Sequence, residues 1–238
     1  MKLLRYGEKG CEQPGILDGE GRIRSLQGLI TDISGEFLAD ETLAKLRQLD
    51  LHTLPIVEGN VRVGPCVAGT SKIIGIGLNY ADHAAETGAE IPTEPVIFMK
   101  ATTAISGPFD DVEIPRGSTK TDWEVELVVV MGRRAHRVSA TDGWAHVAGL
   151  TIGQDLSERT LQRAGTAPQF GLGKSFPGFG PTGPWLVTAD EFTDADDLAL
   201  SCRLDGEVMQ DSRTSDLVFS VARLIEYVSA AVPMLPVG

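Results

Sequence analysis

Cysteine is scarce in this chain of 238 residues, and the three present, Cys11, Cys66 and Cys202, stand far apart without the paired spacing of a zinc site. A disulfide framework is therefore not what holds it together. The thiols read as structural groups of a reducing compartment, and a cytoplasmic location is expected. Positive charge is also short: 21 Lys plus Arg face 33 Asp plus Glu, a formal net charge of −12. That balance argues against nucleic acid and anionic membrane surfaces as partners. No run of about 18 apolar residues occurs to span a bilayer, and the start, MKLLRYGEKG, has no signal-peptide core. An anionic small molecule would need local help, from a metal or from selected lysines.

What is present divides at about residue 69. In the first part KLLRY reads as a strand, PGILDGEGRIRSL as a hairpin turning at Asp18 to Gly21, and ETLAKLRQL as a helix capped by Asp40 with Leu43, Leu46 and Leu49 inward. Thr53 to Gly69, rich in Pro, Gly and Val, reads as a linker, so residues 1–69 are expected to form a small N-terminal α/β domain with its linker and residues 70–238 the main one. From Lys72 the texture is β-rich, with apolar runs at IIGIG, VIFMK, WEVELVVVM, HVAGLTIGQ and PWLVT. Ser139, Ser157 and Ser220 are placed to open inserted helices, and Asp205-Gly206 is a hairpin signal. The pattern predicts an α+β fold with a mixed, mainly antiparallel sheet. GIGLNY is not a dinucleotide loop, because Tyr80 stands where the third glycine would let helix and strand pack closely.

The most informative run is Trp123 to Met131. On a strand, residues two apart share a face, which puts Glu124 and Glu126 beside Val128 and Val130 in a segment that otherwise looks buried. Two like charges near a core are costly unless something positive lies between them, and a divalent cation with oxygen ligands is the simplest such thing. In NYADHAAETG, Asn79 can cap a short helix that Gly88 ends. His83 and Glu86 are then three apart on one face, a pairing that suits a general base as well as a solvated surface pair. Asp155 ends one strand and opens SERTLQ, as a third oxygen ligand or a helix cap. Lys100 ends VIFMK and Lys174 lies in a Gly-rich apolar loop; such an ammonium suits a substrate carboxylate or a developing oxyanion, or snorkels to the surface.

LNYADHAAE, PVIFMK, PRGS, DWEVEL, GQDLSER, LQ, GKSF and GPTGPWLVT, in this order, together resemble the fumarylacetoacetate hydrolase family, from about Lys72 to Pro236. The resemblance implies that Glu124, Glu126 and Asp155 hold Mg²⁺ or Mn²⁺, and that His83 and Glu86 form a water-activating pair on a lid helix. It places Arg159, Gln162 and Lys174 where the family holds its substrate, and implies a compact mixed β-roll and a homodimer. Members usually continue beyond the helix at Ser220 with a Gly-Asp strand and a Thr-Gly-Thr-Pro loop, where this sequence reads VPMLPVG.

The resulting expectation is a metal-dependent hydrolase that cleaves a carbon–carbon bond in a small 1,3-diketo acid, of the acylpyruvate or diketo-deoxy sugar acid type. Catalysis would rest on His83, Glu86 and Lys174. The same cradle suits an oxaloacetate decarboxylase or a 2-oxo-diacid isomerase. A silent binding or assembly protein has no need of a cation flanked by a base.

Overall fold

The computed structural model describes residues 1–81, 88 and 90–237. His83 and Glu86 lie outside the described residues. The strands are β1 (Lys2–Tyr6), β2 (Gln13–Leu17), β3 (Ile23–Ser25), β4 (Ile73–Gly77), β5 (Val96–Lys100), β6 (Ile105–Ser106), β7 (Thr121–Asp122), β8 (Val125–Met131), β9 (Val147–Gln154), β10 (Ser157–Glu158), β11 (Gly180–Thr188), β12 (Ala199–Leu204) and β13 (Glu207–Arg213). The α-helices are α1 (Asp40–Arg47), α2 (Arg159–Gln162), α3 (Phe170–Gly173) and α4 (Val221–Ala231).

A sheet of seven strands runs in the order β3-β2-β1-β11-β9-β8, with β6 pairing β11 as its parallel member. The other ladders of this sheet are antiparallel, and of these β1–β2 and β2–β3 are joined by short turns. This is the expected α+β, mainly antiparallel architecture. The sheet crosses the linker: Leu3 of β1 lies opposite Leu186 of β11. The core follows, since Leu3, Ile16, Leu38, Leu43 and Leu46 pack in one cluster with Val130, Ala148 and Leu186.

The period-2 pattern of β8 divides its side chains between two cores. Val128 and Val130 face the cluster built on α1, whereas Leu127, Val129 and Met131 face the one built on α4. Helix α4 buries Val221, Ile225 and Val228, and Ser220 caps it by accepting from the Arg223 amide. The Asp205-Gly206 turn joins β12 to β13 with φ of +50° and +89°, the left-handed pair that a two-residue hairpin demands.

Two local expectations need correction. Leu49 lies beyond the end of α1 and is 37% exposed, because the helix stops at Arg47. The helix that Asn79 is expected to cap lies outside the described residues; the Asn79 side-chain amide both donates to the Phe219 carbonyl and accepts from the Phe219 backbone amide, tying the end of β4 to the approach to α4. Ser157 belongs to β10, and Glu158 caps α2 by accepting from the Leu161 amide.

Strand β8 is the last of its sheet, and the β4–β5 hairpin stands apart from it. Between them lies a cavity of about 300 Å³, lined along its length by Ile73, Ile76, Leu127 and Val129 and at one end by Lys100, Glu126 and Asp155.

Candidate active site

The polar end of this cavity follows from the β8–β9 register. Val125 is opposite Gln154 and Glu126 opposite Gly153, so one step beyond the ladder Glu124 and Asp155 face each other across the strand ends. The Asp155 amide donates to the Glu124 carbonyl at 2.8 Å, and the same register continues into the bridge of Ser157 with Asp122. A ladder thus delivers carboxylates 31 residues apart in sequence to one place.

Cations arrive from three other segments. Lys174 is buried, and its Nζ donates to Glu124 Oε2 and Asp155 Oδ2, each at 2.7 Å, and to Ser157 Oγ at 2.8 Å. It lies 5.1 Å from the centre of the Phe98 ring. An ammonium so enclosed is tolerable only because its protons are matched by acceptors, two of them charged. Gly173 makes the placement possible, since a Cβ there would meet the Gln162 amide nitrogen at 2.6 Å. Lys100, at the end of β5, donates to Asp155 Oδ1 at 2.6 Å and to the Phe179 carbonyl at 2.7 Å. Arg159, opening α2, spans Asp122 Oδ2 at 2.8 Å, Glu124 Oε1 at 2.6 Å and Gln162 Oε1 at 3.0 Å.

Glu126 differs. No cation or hydrogen-bond donor among the described residues touches its carboxylate. Its pKa is pushed up to about 8, first by burial and then by the charges of Glu124 and Asp155, against partial relief from Lys174 and Lys100. For Lys100, burial pulls the ammonium below its usual range while Asp155 opposes the shift.

Among the described residues, no three carboxylate, imidazole or thiol groups converge closely enough to form a finished ligand cage. The Lys174 ammonium lies between Glu124 and Asp155. The donor set nonetheless fits a hard divalent cation: Glu126 and Asp155 line the cavity, Glu124 adjoins Asp155 through the strand ladder, and the half-buried Glu126 has no counter-charge in contact among the described residues.

Of the residues singled out from sequence, Glu124, Glu126, Asp155, Arg159, Gln162 and Lys174 are therefore brought together, while His83 and Glu86 lie outside the described residues. Sequence reasoning left Lys100 without a specific role and missed Asp122 and the second task of Ser157. The signal for Ser157 was its place two residues after Asp155, where its hydroxyl donates to the Asp155 carbonyl while accepting from Lys174.

The fold is thus mainly antiparallel α+β, and its strand ends gather carboxylates, lysines and an arginine beside a cavity. The chain belongs to the fumarylacetoacetate hydrolase family: the model described as "Fumarylacetoacetate (FAA) hydrolase C-terminal" matches residues 72–238. A Burkholderia lata protein carried under a provisional hydrolase name is 50% identical over 238 residues, 99% of this chain and 83% of its own. Among solved structures, 5-carboxymethyl-2-hydroxymuconate delta-isomerase from Mycobacterium smegmatis is 30% identical with a TM-score of 0.75, covering 99% of this chain and 84% of its own. Fumarylacetoacetate hydrolase from Exiguobacterium antarcticum is 28% identical with a TM-score of 0.84, covering 99% and 83%. Relatives of this chain thus include both hydrolases and isomerases. No helix among the described residues is long and apolar enough to cross a membrane.

Proposed function

We propose that this protein hydrolyses a carbon–carbon bond in a small 1,3-diketo acid of the acylpyruvate type. The observation that carries the reading is Glu126, a half-buried carboxylate lining the cavity with Asp155, close to Glu124 and without a counter-charge in contact among the described residues. Glu124, Glu126 and Asp155 would hold Mg²⁺ or Mn²⁺, which when bound supplies Lewis-acid stabilisation of negative charge on the substrate oxygens. Arg159, with Gln162 beside it, and Lys174 present guanidinium and ammonium donors suited to a 2-oxo acid carboxylate. His83, oriented by Glu86, takes a proton from the water that attacks the distal carbonyl. Lys174 stabilises the charge that develops as the bond breaks and the pyruvate enolate departs, and protonation of that enolate at carbon completes the products. The apolar walls from Ile76 and Val129, farther from Lys100 and Glu126, suit the less polar end of such a substrate.

The likeness to the delta-isomerase favours a second reading on the same site, in which a proton is moved along an unsaturated 2-oxo diacid and no bond to carbon is cleaved. Oxaloacetate decarboxylation is a third use of the cradle. The three are separated by incubating the protein with acylpyruvates, oxaloacetate and an unsaturated 2-oxo diacid, with Mn²⁺ and with a chelator, and following absorbance and products. Chelator-sensitive release of pyruvate and a carboxylic acid from an acylpyruvate is the expected result; isomerisation alone would replace the hydrolase reading. We also propose a homodimer acting in the cytoplasm; a monomer by light scattering at micromolar concentration would contradict the dimer.

A further inference from the structure

We infer that Lys100 is a positioning residue of this site, orienting Asp155 for cation binding through the contact of its Nζ with Oδ1. The inference rests on the reading that Glu124, Glu126 and Asp155 hold a divalent cation.

Lys100 and Lys174 both touch Asp155, but they are held differently. Lys174 divides its donors among Glu124, Asp155 and the Ser157 hydroxyl. Lys100 meets one carboxylate oxygen, Asp155 Oδ1, and the carbonyl of Phe179. That carbonyl is itself anchored: Phe179 is fully buried, and its oxygen also accepts from the Leu156 amide, the residue next to Asp155. Main chain on one side and ammonium on the other therefore brace the Asp155 segment. The Lys100 side chain is 4% exposed, so its stem is enclosed by the surrounding chain. In the proposed reaction Lys174 also serves substrate charge, so its hold on Asp155 is shared during turnover. The contact from Lys100 is the one that can keep the carboxylate aimed throughout.

A positioning role and a plain counter-charge role predict opposite signs. A positive charge beside a ligand of a cation repels that cation, so if Lys100 did nothing but balance charge, removing it would tighten metal binding. If it aims Asp155, removing it loosens binding despite the relief of repulsion; loss of an outer partner of a metal ligand typically costs about 10- to 100-fold in affinity.

The test is Mn²⁺ affinity of the intact protein, read from the electron paramagnetic resonance signal of the free ion, for wild type, Lys100→Met and Lys100→Gln. Thermal melts of the metal-free proteins are recorded alongside. The expected result is roughly 10-fold or more weaker binding in Lys100→Met, with partial recovery in Lys100→Gln, whose amide can still donate to Asp155. Unchanged or tighter binding in Lys100→Met overturns the inference. Should Lys100→Met not fold, Lys100→Gln decides alone: weaker binding than wild type supports the positioning role, and wild-type affinity overturns it. Failure of wild type itself to bind Mn²⁺ would instead sink the cation reading beneath it, so the two failures are distinguishable.

Discussion

Two enclosed charge clusters in this chain follow different rules. Around the β2–β3 turn, the Asp18 side chain is 1% exposed and every direction from it is answered. Its carboxylate accepts from Arg24 Nε at 2.8 Å, Arg22 Nε at 3.0 Å, and the amides of Arg22 and Glu20 at 2.9 and 3.0 Å. Nearby, Arg5 grips Asp32 and Arg62 joins Glu12 to Asp110, so those carboxylates too are matched by guanidinium. At the end of β8, by contrast, Glu124 and Asp155 share Lys100, Lys174 and Arg159, and Glu126 has no such partner among the described residues. The pKa directions record the difference. Burial alone would raise the Asp18 carboxyl, but its hydrogen bonds with Arg22, Arg24 and Glu20 outweigh that and hold it well below the carboxylate range, whereas Glu126 is pushed up to about 8. A satisfied cluster fixes a fold, while an unsatisfied one retained at a cavity is poised for a ligand.

Glu126→Gln is the substitution that breaks this contrast most sharply. On the proposed reading it should lower kcat/KM on the best substrate by on the order of 10³-fold or more, since it would remove a ligand of the proposed cation. The Tm of the metal-free protein should stay level or rise, because an uncompensated carboxylate is gone. A Tm that instead falls steeply in calorimetry would make Glu126 a structural residue like Asp18.

His83→Ala should lower kcat by roughly 10²-fold while Mn²⁺ binding and folding survive, the range for a lost positioned base. Glu86→Ala should act in the same direction and more mildly. Wild-type kcat in His83→Ala would mean that another group is the base.

The N-terminal cluster should respond the other way. Arg24→Met strands Asp18 in an enclosed place and should lower Tm by roughly 5 °C or more, with activity per folded molecule unchanged. Equal losses of activity and stability would show that the two clusters are coupled through their common sheet.

Acid and alkali offer a gentler comparison in the metal-free protein. The folded pKa of Asp18 lies below its ordinary 3.8, so its contribution is present above that value and lost as pH falls through the folded pKa; Asp18→Asn should flatten the acid limb of stability. Glu126 has the opposite sign. Its folded pKa of about 8 exceeds the ordinary 4.5, so its contribution is complete below 4.5 and lost as pH rises towards 8. Denaturant titrations from pH 3 to 9 should therefore find that Glu126→Gln removes a decline near neutrality. The smallest effect is expected at the exposed pair of Arg213 with Asp197, where Arg213→Ala should leave the melting curve unchanged within error.

Sequence alone determined the elements whose physics is local. Alternation in WEVELVVVM was enough to part Val128 and Val130 from Leu127, Val129 and Met131 on opposite faces, because a strand has a period of two whatever it packs against. Asp205-Gly206 specified its hairpin and Ser220 its cap for equally short-range reasons. The ordered set of motifs identified the family, and with it the gathering of Asp155, Arg159, Gln162 and Lys174 about Glu124 and Glu126. Tertiary structure decided what each of these touches. That Asp155 is held between two lysines, that Ser157 serves Lys174 and caps no helix, that Asn79 ties β4 to the approach to α4, and that β1 completes a sheet with β11 are contacts between residues up to 185 positions apart. Such contacts leave no mark in a local pattern, because ladder register and close packing, as at Gly173, set which distant side chains meet.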